Sequence, residues 1–320
     1  MNKPKTLQQA IVFFSNPDNA LAYMVKLRWP RGVECPTCGR KDVVFLTNQR
    51  KWQCKSVHAK RQFTAKVGTI FEDSPISLDK WLTAMWMLTN CKNGISSYEI
   101  ARTIGVTQKS AWFMMHRIRL GMETIAFRQL GGKNKEVEAD ETFIGGKAAN
   151  MHAEKHARRI ARTRTKDKTA VFGLLERGGE VRATVVANRK RASLQPEIVK
   201  HVKEETPVYT DAFMSYDTLR SRYQHQAIDH AFGYVRGRVH TNGLENFWSL
   251  LKRSIKGTYV SVEPFHLQRY VTEQVFRYNN RKQPNGDSAR FEQVASQVLG
   301  KRITYAELTG KVGTTDSLSN

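Results

Sequence analysis

Apolar residues recur at helical spacing through residues 6–28 (Ile11, Phe14, Ala22, Met24, Leu27), but Asn16-Pro17-Asp18 interrupts them. Two short helices are therefore predicted instead of one. Across 94–120, Ile100 and Ala101 face inward on a helix that stops at Gly105. Thr107 then caps a second helix held to the core by Ala111, Met114, Met115 and Ile118. From residue 136 the pattern turns to alternating, β-rich segments. Strands are predicted at 136–144, 169–176, 181–187, 207–211 and 226–229, and helices near 193–204, 215–222, 242–256 and 264–280.

The helical pair has the glycine-turn spacing of a helix-turn-helix. Its pattern leaves Gln108, Lys109, Phe113, His116 and Arg117 off the core face, where they are expected to meet a DNA groove. In the later half, three strands, a helix, a fourth strand and further helices follow the order of an RNase H-like α/β domain. In that fold the first and fourth strands lie side by side at the sheet centre. The fold class expected is thus α+β multidomain. Its parts are an N-terminal helical segment (1–30), a ribbon (31–72), a helix-turn-helix region (73–130), an RNase H-like catalytic domain (131–300) and a C-terminal tail (301–320).

Charge narrows the function. The 320 residues carry 52 Lys and Arg against 29 Asp and Glu, a net +23. Such a surface gains affinity for a polyanion by displacing its counterions, so double-stranded DNA is the expected partner. No apolar run is long enough to span a bilayer and the N-terminus lacks a signal-peptide core, so no membrane partner is expected. Four cysteines, three of them clustered, exclude a disulfide scaffold and suit a reducing cytoplasm, with association to the nucleoid. Residues 147–168, with eight Lys or Arg and two acids, are expected to form a flexible arm suited to phosphate backbone.

The clustered cysteines suggest a metal. Cys35-x2-Cys38-Gly39 places two thiolates on one tight turn. After two strand-like runs, Cys54 and His58 offer a second pair, and the four residues make a Cys3His zinc ribbon holding one structural Zn2+. Cys91 is left as a small core residue.

Three acids carry the candidate chemistry. Asp140 and Asp211 each end a run of apolar strand residues, where a strand needs no acid. Glu245 sits on a helix whose Leu244, Trp248, Leu251 and Ile255 form an apolar stripe, with Asn242, Glu245, Ser249, Lys252, Arg253 and Lys256 on an adjacent one. Glu245 and Lys252, seven residues apart, point the same way about 10 Å apart along the axis. Converging carboxylates of this kind can hold two Mg2+ or Mn2+ ions. Asp140 is expected to bridge them, with Asp211 and Glu245 each completing one site. Lys252, joined by Arg253 and Lys256, would meet DNA phosphate. Glu138 and Glu141 are read as decoys: a strand turns them to the opposite face or, for Glu138, two residues along.

Together these motifs resemble the bacterial insertion-sequence 1595 transposase family, with its ISXO-like DDE domain. The resemblance is carried by Leu27-Arg28-Trp29-Pro30 leading into the Cys35 knuckle, Val67–Phe71, Val137–Thr142, Gly173–Gly179, His240–Arg253, Lys256–Tyr259 and Arg277–Arg281. It implies an enzyme that binds the terminal inverted repeats of an insertion sequence, nicks at its ends and joins them to target DNA with Mg2+. Synapsis of two ends implies a homodimer or higher oligomer on DNA. Family members often close the zinc site with a second Cys-x2-Cys, where this chain has Cys54-x3-His58. Their third catalytic position varies, so Asn242 rivals Glu245, although the Glu-x6-Lys spacing favours Glu245. Two other readings are a DNA-binding regulator with an inactive nuclease-like domain, and a nuclease or host-adopted recombinase.

Overall fold

The computed structural model describes residues 3–123, 128–145, 168–211, 214–228 and 240–311. The chain forms two compact units, one of Met1–Glu123 with Lys282–Asn320 and the other of Thr124–Arg281. The basic stretch at 147–168 lies, but for Lys168, outside the described residues.

The first unit opens with α1 (Leu7–Ser15) and α2 (Pro17–Arg28). The break is local chemistry: Asn16 Oδ1 accepts from the Asp18 amide at 2.8 Å, and Pro17 starts the next helix where no N–H is needed. An antiparallel ribbon follows, β1 (Val43–Leu46), β2 (Lys51–Cys54) and β3 (Gln62–Phe63). Trp29, Trp52 and Phe63 close its core, with ring centroids 5.6–6.0 Å apart. Then come α3 (Leu78–Asn90), α4 (Ser97–Ile104) and α5 (Gln108–Gly121). Ser96 and Glu99 form a capping box at the start of α4, and Gly105 ends it in the left-handed region at φ 62°. Thr107 caps α5 through the Ser110 amide at 3.2 Å. Cys91 is not fully interior; it is half-buried at the C-cap of α3.

The second unit is a five-stranded sheet between helices. Its strands are β4 (Val137–Ile144), β5 (Thr169–Glu176), β6 (Val181–Val186), β7 (Pro207–Asp211) and β8 (Gln224–Ile228), in spatial order β6-β5-β4-β7-β8. β4, β5 and β6 pair antiparallel, whereas β4–β7 and β7–β8 pair parallel. On one face Val137, Ala139 and Val208 pack with Leu194 and Ile198 of α6 (Arg191–His201) and with Tyr216 of a 3-10 turn (Met214–Ser221). On the other, Val171 and Leu175 pack with Leu244, Phe247 and Trp248 of α7 (Asn242–Ser254) and Val271 of α8 (Leu267–Asn279). A π-helical turn, Ile255–Tyr259, ends the α7 region and takes the last residues of the predicted helix.

After α8 the chain rejoins the first unit. In α9 (Gly286–Ser296), Phe291 packs on Trp86 at 4.9 Å, and Arg290 Nε donates to Asn90 Oδ1 at 2.9 Å. A short α10 (Tyr305–Leu308) follows. The second compact unit thus ends at Arg281, and residues 282–311 group with the first. The physical reason is that α3 needs the apolar face of α9 to complete its core.

Part of α5 is enclosed within this unit. His116 is fully buried and Arg117 nearly so. Arg117 Nε donates to the Ile303 carbonyl at 3.0 Å and its Nη1 to the carbonyls of Ile70 and Glu72. Neither side chain lies on an exposed face, where the helical pattern sets it. Phe113 packs edge-on against Tyr305 at 5.7 Å, and the exposed Lys109 lies over the same ring at 4.7 Å. Gln108 donates to Ser97 Oγ at 2.8 Å. Among the described residues no helix is long and apolar enough to cross a membrane.

Candidate metal centres

The ribbon brings all four predicted ligands together. The Cys35–Arg40 turn is closed by Cys35 N–H to Arg40 O at 2.9 Å and Gly39 N–H to Cys35 O at 2.8 Å. Strand β2 delivers Cys54 beside it, and the ligand atoms of Cys35, Cys38, Cys54 and His58 lie within 4.8 Å of one another. Cys38 Sγ is 3.6 Å from Cys54 Sγ, and Cys35 Sγ is 3.4 Å from His58 Nε2. Those are close to the edges of a tetrahedron around zinc, roughly 3.8 Å for S–S and 3.6 Å for S–N. Burial pushes the Cys35 thiol up, but N–H groups of Cys38 and Thr37 and the neighbouring thiols outweigh it and bring it down to about 6. A thiol held as thiolate at neutral pH is what a cation requires. The donor set fits structural Zn2+.

The second site is built on the sheet. β4 and β7 run parallel with Val137 level with Val208 and Glu138 level with Tyr209. Asp140 and Asp211 each lie two residues beyond the Glu138–Tyr209 pair, and both are half-buried. Burial comes first and the Asp211 charge second in pushing the Asp140 carboxyl up from its ordinary 3.8 to about 7. A carboxyl whose ionisation is opposed by burial and by a like charge on the next strand is a fitting place for a hard divalent cation.

Trp248 also acts on Asp140. Its indole Nε1–H donates to Asp140 Oδ2 at 2.9 Å, while the Glu141 amide donates to Oδ1 at 2.8 Å. Gly173, paired with Asp140 across β5, makes room for the ring: a Cβ there would stand 2.6 Å from Trp248 Cζ2. The stripe placed Trp248 against the sheet without showing its polar end; only an indole among core residues hinted that its N–H needed a partner.

Glu245, Lys252, Arg253, Lys256 and the rival Asn242 all lie on the exposed side of the α7 region. Glu245 is not gathered with the two aspartates as the zinc ligands are gathered; among the described residues only the Cys3His group meets that closeness. Glu141 projects to the other face of the sheet, where it accepts from Tyr216 Oη at 2.6 Å. Glu138 is buried on the α7 face and bonded to the helix start.

Ionisation of Asp140 links this site to stability. Its folded pKa of about 7 lies above the ordinary 3.8, so its contribution is complete below the lower value and is lost as pH rises through the upper one. Metal-free wild type should therefore lose melting temperature relative to Asp140→Asn between pH 4 and about 7. Trp248→Phe removes a donor that favours the carboxylate, so the Asp140 pKa should climb further. Carboxyl 13C titration measures both, and an unmoved or lower Asp140 value in Trp248→Phe would refute the assignment.

Residues 129–279 match the ISXO2-like transposase domain, and residues 15–59 match the transposase zinc-ribbon domain. The chain is 28% identical over 253 residues to an uncharacterized protein in transposable element ISH50 of Halobacterium salinarum, covering 75% of this chain and 83% of that one. It is 35% identical over 102 residues to an uncharacterized transposase-like protein of Haemophilus influenzae, covering 32% of this chain and 82% of that one. No solved structure matches. A zinc ribbon joined to an acid-bearing α/β unit is thus the organisation of a zinc-ribbon transposase. The chain belongs to the insertion-sequence 1595 transposase family.

Proposed function

We propose that the protein cuts the ends of an insertion sequence and joins them to target DNA, using an RNase H-like domain with Asp140, Asp211 and Glu245 as its carboxylate trio. One observation carries the reading: Asp140 and Asp211 lie on neighbouring parallel strands, the Asp211 charge acts on Asp140, and Asp140 is bonded to the helix that bears Glu245. The strand order third-second-first-fourth-fifth, with only the second strand antiparallel to both neighbours, supports the fold assignment. Two Mg2+ or Mn2+ ions bound there would supply activation of water or a 3′-hydroxyl and stabilisation of the leaving oxygen. Asp140 and Asp211 hold charge at the reacting phosphate, and Trp248 fixes which way Asp140 faces. Lys252, Arg253 and Lys256 lie along the exposed side and neutralise backbone phosphate.

In the first unit, α4 and α5 act as a helix-turn-helix that reads terminal inverted repeats through Gln108 and Lys109 at the start of α5. His116 and Arg117 have no part in this. Two ends must meet, so the active species is a homodimer or larger assembly on DNA, in a nucleoid-associated cytoplasmic protein. Gel filtration with end-containing DNA that yields only a monomeric complex would count against that assembly.

The test is incubation of the full chain with Mg2+ or Mn2+ and a labelled duplex carrying the element's own end. Metal-dependent nicking at the end is expected. Tight binding without any cleavage would instead favour a regulator.

A further inference from the structure

The helix that carries Glu245 lacks a cap of its own. Thr241 is its N-cap residue, and the Thr241 side chain accepts no capping hydrogen bond. The amide that an N-cap side chain ordinarily takes is that of the third helical residue, here Leu244. Glu138 takes it instead: its Oε2 accepts from Leu244 N–H at 3.0 Å across 106 residues of sequence. Its other oxygen accepts from Arg177 Nε at 2.9 Å, so a carboxylate that is 1% exposed has a donor on each side. A negative charge there also meets the positive end of the helix dipole.

Arg177 ties the same point down from behind. Nη2 donates to the His240 carbonyl at 2.7 Å, Nη1 to Glu136 at 2.9 Å, and the guanidinium lies over the Tyr209 ring at 4.6 Å. Gly243 permits the close approach, since a Cβ there would stand 2.3 Å from Leu175 Cδ2 and 2.7 Å from Glu138 Oε2. A second clamp lies one step on, where Trp248 bonds Asp140. Two strand residues advance about 6.7 Å and four helical residues about 6 Å, so the pairs Glu138–Leu244 and Asp140–Trp248 keep step.

From this we infer that Glu138, held by Arg177, is a positioning residue: it locks the helix bearing Glu245 in register with the strand bearing Asp140. The inference rests on the metal-binding reading above, because register matters there for bringing the third carboxylate to the cations. Glu138 itself, with both oxygens engaged, is not a ligand.

The experiment measures Mn2+ stoichiometry and affinity by calorimetry, together with hydrogen exchange over 242–247. It compares the wild-type chain with Glu138→Gln, Glu138→Ala, Gly243→Ala and Glu245→Gln. Glu138→Ala and Gly243→Ala should speed exchange in that segment and weaken the Glu245-dependent Mn2+ site about tenfold or more, as loss of support behind a ligand does. Glu138→Gln keeps an acceptor for Leu244 and should restore most of both. If Glu138→Ala does not fold, Gly243→Ala and the glutamine rescue still decide. Wild-type exchange and Mn2+ binding in Glu138→Ala, with Glu245→Gln impaired, overturns the positioning role alone. A wild-type chain that binds no Mn2+, or Glu245→Gln that binds it normally, removes the metal reading and the register's purpose with it.

Discussion

Asp211→Asn is expected to lower metal-dependent strand cleavage by about a thousandfold or more, and Asp140→Asn by as much, with both proteins folded. The magnitude follows from the role. A metal that polarises the phosphate is worth several kcal/mol in the transition state, and about 4 kcal/mol corresponds to a thousandfold in rate. Asparagine keeps the size of the side chain but removes the charge that attracts a hard cation. Folding should survive near neutral pH because the folded chain disfavours a charged Asp140: burial first and then the Asp211 charge push its carboxyl up to about 7. Removing either carboxylate should relieve that repulsion, so the variants should melt at or above the wild-type temperature near neutral pH without metal. Gel assays on end-bearing duplex and melting curves measure the two halves. Cleavage within tenfold of wild type in Asp211→Asn would falsify the assignment.

The second large effect concerns the ribbon. Stripping zinc with a chelator, or substituting Cys54→Ser, should abolish the folded ribbon. Structural zinc contributes on the order of 10–16 kcal/mol in small zinc modules. The ribbon's three strands are only four, four and two residues long, too little on their own to hold a fold. Its apolar centre is small, chiefly Trp29, Trp52 and Phe63 around Cys35 and Cys54. Metal analysis should give one zinc per wild-type chain and less than one for Cys54→Ser. Loss of ordered tryptophan signal should accompany zinc loss, because both Trp29 and Trp52 line that centre. A variant that keeps a full equivalent of zinc and the native fluorescence would remove Cys54 from the ligand set.

The ribbon is legible in the sequence for a local reason. Its ligands fall within Cys35–His58, and metal geometry restricts which thiolates and imidazoles can share an ion. The break at Asn16, the capping at Thr107 and the turn at Gly105 are equally local, and each appears where side-chain chemistry placed it. The strands of the second unit were also legible, because a strand alternating between two environments writes its faces into the sequence. Asp140 stood out because it interrupts such a strand.

Long-range burial escapes local pattern. His116 and Arg117 were turned outward by the periodicity of α5, since a charged residue off the apolar stripe is ordinarily solvated. Arg117 is held by the carbonyl of Ile303, 186 residues further along, and no window on α5 contains that information. In the sequence Glu138 reads as a decoy, because a buried carboxylate is recognised only through its donors, here Arg177 and the amide of Leu244. Trp248 likewise showed its apolar body in the helical stripe and concealed the partner of its N–H.

By itself, then, the sequence determined the elements, the zinc ligands, the acid-bearing strands and the family, all of which depend on short-range spacing or on motifs read in order. Tertiary structure alone decided where the second unit ends, which side chains of α5 are unavailable, and how the helix of Glu245 is fastened to the strand of Asp140. Those depend on burial and on hydrogen bonds between residues a hundred or more apart. Whether a polar side chain is solvated or enclosed is a property of what packs over it, and the neighbouring sequence does not contain that cover.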